Sequence, residues 1–224
     1  MCDAKSERVN AVLVGGGGHA KQLLESIDHD RFDIVGVVDP SFGIGFVEGL
    51  GLMCLGDDDC LKSLTKKGIS TAFIGLGALT KPLGRIRLYD LLLSHGFNLP
   101  SVVHKDATVS PSASIGAGVQ LFARSYVGAG VVIRPNTIVN VGSIVSHDCN
   151  IGEHCHLTPG SILGGGVNIG NRCTIGMAAT VLYGLHIGED TIINNGVHIF
   201  SDVPQGKRVM ATASPVRQYS GQGQ

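Results

Sequence analysis

A six-residue periodicity through residues 103–199 constrains the fold of this chain more than any other feature. Every sixth residue there is Val, Ile or Leu, and the residue four places later is mostly small. Neither an α-helix, with about 3.6 residues per turn, nor a strand, with a side-chain period of two, repeats at six. Three six-residue sides of a triangular coil do. The periodicity therefore predicts a parallel β-helix whose aliphatic residues point inward, with glycine often following them where a corner needs an open backbone.

The residues before the repeats alternate between predicted strands and helices. Strands are predicted at 9–14, 33–38 and 71–74, and helices at 21–27, 57–67 and 85–95. Such alternation favours a small parallel sheet covered by helices. We expect an α/β, Rossmann-like βαβ domain over residues 1–100, followed by an all-β β-helix domain with a C-terminal tail over residues 101–224.

Composition excludes several classes of function. The net charge of −1 leaves no basic field for nucleic acid or anionic membranes. The polar start is not a secretory signal, and no apolar run approaches the roughly 18 residues of a membrane span. Because the six cysteines form no C-x-x-C motif, we expect reduced structural thiols in a cytoplasmic protein.

A glycine-rich turn follows the first predicted strand. It fits G-x-G-x-x-[GA] at Gly15, Gly17 and Ala20, and Asp39 lies near the spacing at which an acid contacts a ribose hydroxyl. Such glycines let a phosphate approach backbone N–H groups. The α/β part is about half the size of a complete dinucleotide domain, so a nucleotide-bearing substrate fits better than a dinucleotide. A turn without any ligand is the alternative interpretation.

Histidines stand out within the repeats. His147 and His156 do not share the inward phase, so we expect both at the prism surface or at a subunit seam. A histidine at a partly dry seam can act as a general base near neutral pH, and Asp148 could support its charge. A metal site is not expected, because Cys149 and Cys155 point into the core and away from these histidines. We expect the remaining coil histidines to be corner or seam residues with satisfied hydrogen bonds: His154, His186 and His198.

Taken together, the G-G-x-G-H-A turn at 15–20 and the hexapeptide coils with the S-H-D segment at 146–148 resemble one bacterial acyltransferase family. It contains N-acetyltransferases of nucleotide-linked 4-amino-sugars and related sialic-acid O-acetyltransferases. The resemblance covers about residues 9–217 and implies a left-handed β-helix and acetyl-CoA as co-substrate, without a metal. Prisms of this kind usually assemble side by side, so we expect a homotrimer with active sites between subunits.

The resemblance also implies roles for individual residues. His147 is the base that deprotonates the sugar amine, Asp148 supports it, and Asn140 orients the reacting groups. The implied binding residues are His156, Met177 and Asn195 for acetyl-CoA, and Gly17, Gly18, His19, Asp39, Pro40 and Gly77 for the sugar nucleotide. In the family the acid after the base is often Glu. The terminal segment associated with the CoA adenine corresponds to residues 213–217.

These observations predict an acetyl-CoA-dependent N-acetyltransferase. Its substrate would be a UDP- or GDP-linked 4-amino-4,6-dideoxy sugar for surface glycan biosynthesis. The first alternative is O-acetylation of a sialic-acid-type sugar by the same fold. An NAD-binding oxidoreductase or sensor and a non-catalytic trimeric scaffold are the others.

Overall fold

The computed structural model describes residues 8–78 and 82–210. It begins with a five-stranded sheet in the spatial order β3-β4-β2-β1-β5. Its strands are β1 Val9–Val14, β2 Phe32–Val38, β3 Gly45–Val47, β4 Leu52–Gly56 and β5 Thr71–Ile74. Its helices are α1 Gly18–Leu24, α2 Leu61–Lys66, which follows a 3-10 turn at Asp58–Cys60, and α3 Leu83–Ser94.

The predicted strands are all present, but the prediction of a wholly parallel sheet is wrong at one edge. There β3 pairs antiparallel with β4, a hairpin that the sequence analysis did not include. Helix boundaries also differ, since α1 begins at Gly18 and the predicted helix at 57–67 divides into a 3-10 turn and α2. The sheet is covered on both sides because β1 alternates, with Leu13 packing beside α1 and Val12 beside α2 and α3.

The repeats form a left-handed parallel β-helix with three flat faces, as predicted. Face 1 consists of β6 Val102–Val103, β9 Gln120–Leu121, β12 Ile138–Val139, β15 His156–Leu157, β18 Thr174–Ile175, β21 Ile192–Ile193 and β23 Arg208–Val209. Face 2 consists of β7 Thr108–Val109, β10 Tyr126–Val127, β13 Ile144–Val145, β16 Ile162–Leu163, β19 Thr180–Val181 and β22 His198–Ile199. Face 3 consists of β8 Ser114–Ile115, β11 Val132–Ile133, β14 Asn150–Ile151, β17 Asn168–Ile169 and β20 His186–Ile187.

The predicted inward positions form the core of the prism. From Leu121 to Ile199 every one of them is buried. The first coil is open, and Val103 is 45 % exposed because no layer lies beneath it. Cys149, Cys155 and Cys173 are buried as predicted, and each thiol lies 3.1 Å from a backbone carbonyl of the following coil.

The corner glycines are required by the closeness of the next coil. A Cβ on Gly152 would lie 2.6 Å from the backbone nitrogen of Asn171, and one on Gly128 would lie 2.8 Å from that of His147. Left-handed backbone occurs at other corner residues, among them Asp148 with a φ of 59°. Glycine thus occurs at these corners because the next coil lies too close for a Cβ atom.

Two faces of the prism differ in what covers them. Face 1 packs against the α/β part, where Val102 and Ile138 share an apolar cluster with Ala11 and Leu13. Face 2 carries a column of exposed apolar side chains, with Tyr126 at 45 %, Ile144 at 37 % and Ile162 at 40 % exposure. Within the described part of the chain, none of the helices has the length and apolarity that a membrane crossing requires.

Candidate active site

His147 and Asp148 form a dyad at the corner between faces 2 and 3. The corner joins β13 to β14, and the left-handed backbone of Asp148 turns its carboxylate back to the preceding imidazole. Oδ2 of Asp148 lies 2.8 Å from Nδ1 of His147, so this shorter acid reaches the base. Because a carboxylate only accepts, the imidazole carries its proton on Nδ1. Nε2 of the exposed His147 ring is left with a free lone pair.

Gly165 faces that free nitrogen, and the sequence analysis did not include it. A Cβ on Gly165 would lie 2.5 Å from Nε2 of His147. The N–H groups of Gly164 and Gly166 donate to carbonyls of neighbouring coils, whereas that of Gly165 has no partner among the residues that the structure describes. The run of three glycines at 164–166 is the one sequence signal that could have identified this position.

His156 lies under the segment that follows β5. It faces out of the coil, as its phase predicted, but the α/β part covers it there: the side chain contacts the carbonyl of Ala78 and is 3 % exposed. Nδ1 lies 2.6 Å from the carbonyl of Ala78 and Nε2 lies 3.1 Å from Nδ2 of Asn140. Burial, with a smaller contribution from the Arg85 cation, lowers the pKa of His156 to about 4. His156 is therefore neutral near pH 7.

The hydrogen bonds around His156 define its tautomer. The backbone N–H of Val141 donates to Oδ1 of Asn140 at 2.8 Å, and Gln22 donates to the same oxygen at 3.3 Å. Nδ2 of Asn140 is then the atom that donates to Nε2 of His156. The His156 proton consequently lies on Nδ1 and is donated to Ala78.

A cavity of about 620 Å³ adjoins this network. It brings together the three residues implied for acetyl-CoA, His156, Met177 and Asn195, and Asn140 also lines it. Oδ1 of Asn195 accepts the backbone N–H of Met177 at 2.9 Å, which fixes that wall. His147 does not line the cavity.

The catalytic residues implied by the resemblance therefore do not meet within one chain. Asn140 follows β12 at the edge shared by faces 1 and 2, whereas His147 follows β13 at the edge shared by faces 2 and 3. One six-residue side of the prism separates them. The chain presents two half-sites on opposite edges of face 2.

The glycine turn is only partly open. A Cβ on Gly17 or Gly18 would meet nothing within 4 Å in the described structure, so a ligand can approach both. Gly16 is closed, because a Cβ there would collide with the ring of Phe42. Its N–H already donates to Oδ2 of Asp39 at 2.6 Å. This closure argues against a dinucleotide pyrophosphate resting on the turn.

Asp39 holds the turn through both carboxylate oxygens. Oδ1 accepts the N–H and the hydroxyl of Ser41, at 2.8 and 2.6 Å. Partial burial raises the pKa of Asp39, but hydrogen bonds from Ser41 and Gly16 outweigh it, so the pKa lies below its ordinary value. Pro40 is exposed beside it.

His19 bridges the glycine turn and the prism. Nε2 lies 2.7 Å from Oε1 of Gln120, whose Nε2 donates to the carbonyl of Ile74 at 2.9 Å. His19 therefore carries its proton on Nε2, and Nδ1 is an acceptor beside Gly77. Burial, together with the Arg85 cation, lowers the pKa of His19 to about 4. Gly77 thus lies beside His19, which directly follows the open positions Gly17 and Gly18.

Residues 213–217, implied for the CoA adenine, lie outside the described residues. His154 bonds with Asn136 and His198 with Thr180, and His186 lies 4.0 Å from Asp202. Across residues 8–78 and 82–210, no group of three His, Cys, Asp or Glu side chains could hold a metal ion.

No family profile matches the sequence, but solved structures do. The chain is 36 % identical to PerB from Caulobacter crescentus in complex with CoA and GDP-perosamine, with 89 % of this chain and 92 % of that one aligned at a TM-score of 0.81. A histidine-to-asparagine variant of perosamine N-acetyltransferase from the same organism aligns at 35 % identity, with the same coverage and TM-score. The chain belongs to the hexapeptide-repeat family of sugar N-acetyltransferases.

A second relative agrees with this assignment. The acetyltransferase domain of PglB from Neisseria gonorrhoeae, in complex with acetyl coenzyme A, is 28 % identical to this acetyltransferase. The alignment covers 90 % of this chain and 96 % of that one, with a TM-score of 0.80. The predicted family and enzyme class, an acetyl-CoA-dependent sugar N-acetyltransferase, are confirmed.

Proposed function

We propose that this acetyltransferase transfers the acetyl group of acetyl-CoA to the amine of a nucleotide-linked 4-amino-4,6-dideoxy sugar for surface glycan biosynthesis. The observation that carries the proposal is the His147–Asp148 dyad, whose Nε2 lies beside Gly165, a residue with an N–H that has no partner in the described structure. The relative bound to GDP-perosamine supports a sugar nucleotide as acceptor, with GDP as the first nucleotide to test.

The dyad can perform each proton transfer of the reaction. The sugar amine attacks the thioester carbon while Nε2 of His147 removes its proton, and Asp148 stabilises the imidazolium that forms. The thioester oxygen takes up negative charge in the tetrahedral intermediate, where the Gly165 N–H is the available donor. The C–S bond then breaks, and the imidazolium returns the proton to the sulfur of CoA.

We assign the two substrates to the two regions described above. Acetyl-CoA occupies the cavity lined by His156, Met177 and Asn195. The sugar nucleotide lies along Gly17, Gly18, His19 and Gly77, with Asp39 and Pro40 bordering its ribose and base. The α/β part thus serves as a substrate-binding domain, about residues 1–100, beside a catalytic β-helix domain.

A homotrimer would join the half-sites. The apolar column Tyr126, Ile144 and Ile162 lies on face 2, between the two edges that carry them. A cyclic contact through this face brings His147 of one subunit to the acetyl-CoA cavity of the next. The thiols of Cys54, Cys60, Cys149, Cys155 and Cys173 are free, which supports a cytoplasmic location.

Release of the CoA thiol tests the proposal. Wild type, His147→Asn and His186→Asn are assayed with acetyl-CoA and a panel of GDP- and UDP-linked 4-amino-sugars. His186 is the matched control because it is exposed and lies near a carboxylate, Asp202. We expect His147→Asn to fold normally and to lose about 10²- to 10⁴-fold in kcat, the usual contribution of a positioned base. The control should keep the wild-type rate.

Two results would contradict the proposal. A His147→Asn rate within threefold of wild type would exclude His147 as the base. Thiol release with a sialic-acid-type sugar, and with none of the amino-sugar nucleotides, would replace N-acetylation by O-acetylation.

A further inference from the structure

Arg85 is the most deeply buried charged side chain of the described structure. It lies in the first turn of α3, is 1 % exposed, and reaches the prism from the α/β part. Its guanidinium donates to the carbonyls of Ile74 and Leu76, at 3.1 and 2.7 Å. On the prism side it donates to the carbonyls of Asn136 and Gly118, both at 3.4 Å.

No carboxylate compensates this cation within the described part of the chain. Burial alone lowers the pKa of Arg85, to about 9, so the guanidinium remains charged near neutrality. A buried charge is costly unless hydrogen bonds compensate it. In the described structure the groups that compensate Arg85 are backbone carbonyls of both parts of the chain, so the guanidinium fixes these carbonyls relative to one another.

The segment held by Arg85 belongs to the hydrogen-bond networks of both His19 and His156. Ile74, whose carbonyl contacts the guanidinium, also accepts from Gln120, and Gln120 in turn accepts the Nε2 proton of His19. Two residues beyond Leu76, the carbonyl of Ala78 accepts the Nδ1 proton of His156. The carbonyls of residues 74–78 thus place the proton on Nε2 in His19 and on Nδ1 in His156.

We propose that Arg85 is a positioning residue of the acetyltransferase, which holds segment 74–78 so that both histidines keep these opposite tautomers. Its catalytic consequence rests on the proposed function. With the proton of His156 directed to Ala78, Nε2 accepts from Asn140 and fixes that side chain at the acetyl-CoA cavity. With Nε2 of His19 committed to Gln120, Nδ1 presents an acceptor to the sugar nucleotide.

The test measures histidine ring nitrogens by ¹⁵N NMR in the full-length protein, without substrate, at pH 7.5. Wild type should show a Nδ1–H tautomer for His156 and a Nε2–H tautomer for His19. In Arg85→Met we expect one or both signals to lose their single-tautomer shifts. Arg87→Met is the matched control, because Arg87 lies on the same helix, is exposed and pairs with Asp58. It should match wild type.

Kinetics provide the second readout. For Arg85→Met we expect kcat to fall about tenfold or more, since misplaced catalytic groups lose rate steeply, while Arg87→Met stays within twofold of wild type. If Arg85→Met is insoluble, Arg85→Gln takes its place. The wild-type spectrum tests the two tautomers in either case. A wild-type His156 protonated on Nε2 overturns the proposal, as does an Arg85 variant with unchanged spectra and rate. Altered tautomers in a protein that acetylates no amino-sugar would uphold the positioning and contradict the proposed substrate.

Discussion

At the residue scale, the His147–Asp148 dyad depends on two glycines, Gly130 and Gly165, whose lack of a side chain leaves room for it. The Asp148 carboxylate occupies space that a Cβ on Gly130 would enter, 2.6 Å from Oδ1, and the His147 ring occupies space that a Cβ on Gly165 would enter. Two glycines thus make room for the two members of the dyad. The backbone of Gly165 lies beside Nε2 of His147, and in the described structure the Gly165 N–H has no hydrogen-bond partner.

Gly165→Ala should separate activity from stability. The added methyl collides with the end of the exposed His147 side chain, which can swing away at little cost to the fold. Because displacement of a catalytic group by about 1 Å can cost roughly 10²-fold, we expect a kcat loss of that order with an unchanged melting temperature. Steady-state kinetics and circular dichroism check both parts. An unchanged kcat would contradict the assigned site.

The sequence predicted the dyad but not its surroundings. His147 and Asp148 lie in a short motif at an outward phase of the repeat, so local pattern sufficed. Gly165 and Arg85 act through contacts between coils and between domains, which periodicity does not reveal. The burial of His156 has the same origin: the residue faces out of the coil, as predicted, but segment 74–78 packs on top of it.

At the element scale, the β-helix was predictable because every coil shows the same six-residue pattern of inward aliphatic residues. The hairpin β3–β4 was not, because its first strand has only three residues and is flanked by glycines. The start of α1 was misplaced since glycine at 18 is a poor helix former, and tertiary packing of Ala20 and Leu23 overrides that preference.

Gly152→Ala should lower stability and leave kcat unchanged, the opposite of what we expect for Gly165→Ala. Its Cβ would lie 2.6 Å from the backbone of the next coil, which cannot move without shifting the stack. We expect the free energy of unfolding to fall by about 1–3 kcal/mol, the usual cost of overpacking. Urea titration measures the loss, and kcat per folded enzyme should stay near wild type. Equal stability would mean that the coils are less rigidly spaced than the structure indicates.

At the scale of the whole molecule, the proposed active site needs two surfaces that lie apart within one chain. His147 and the acetyl-CoA cavity flank face 2 from opposite sides, and the exposed column between them is apolar. If the proposed trimer joins these surfaces, the active site forms only on assembly. A subunit that folds but does not associate would then bind ligands and turn nothing over.

Mixed trimers test this directly. His147→Asn removes the base, and Met177→Glu obstructs the half-exposed wall of the cavity, so each variant alone should be inactive. After coexpression in equal amounts, about one interface in four pairs an intact His147 with an intact cavity, so roughly a quarter of the wild-type rate should return. Light scattering confirms the trimer. A mixture as inactive as its components would place the whole site within one chain.

Stability should depend on pH through the two buried histidines. In the folded protein the pKa of His19 and of His156 is about 4, against an ordinary 6.5. Between these values the unfolded chain binds protons that the folded chain does not, so stability falls as pH falls from about 6.5 to 4. The full shift corresponds to about 3 kcal/mol for each histidine. Urea unfolding at pH values from 7.5 to 4.5 should show this decrease in the free energy of unfolding. Replacing both histidines with Asn should make the decrease smaller, whereas the control His186→Asn should leave it unchanged. An equally large decrease in the double variant would contradict the neutrality of the two histidines.

The open first coil has a consequence for solubility. Strands β6, β7 and β8 each end their sheet, so their outer backbone groups have no further strand to pair with in the described structure, and Val103 lies bare at the centre. Such an edge is a template for another chain. Lys105, Asp106 and Pro111 are exposed around its rim, and charges and proline are what discourage strand addition. Because stacking of coils could also continue from one molecule to the next and form filaments, we expect these rim residues to oppose end-to-end association.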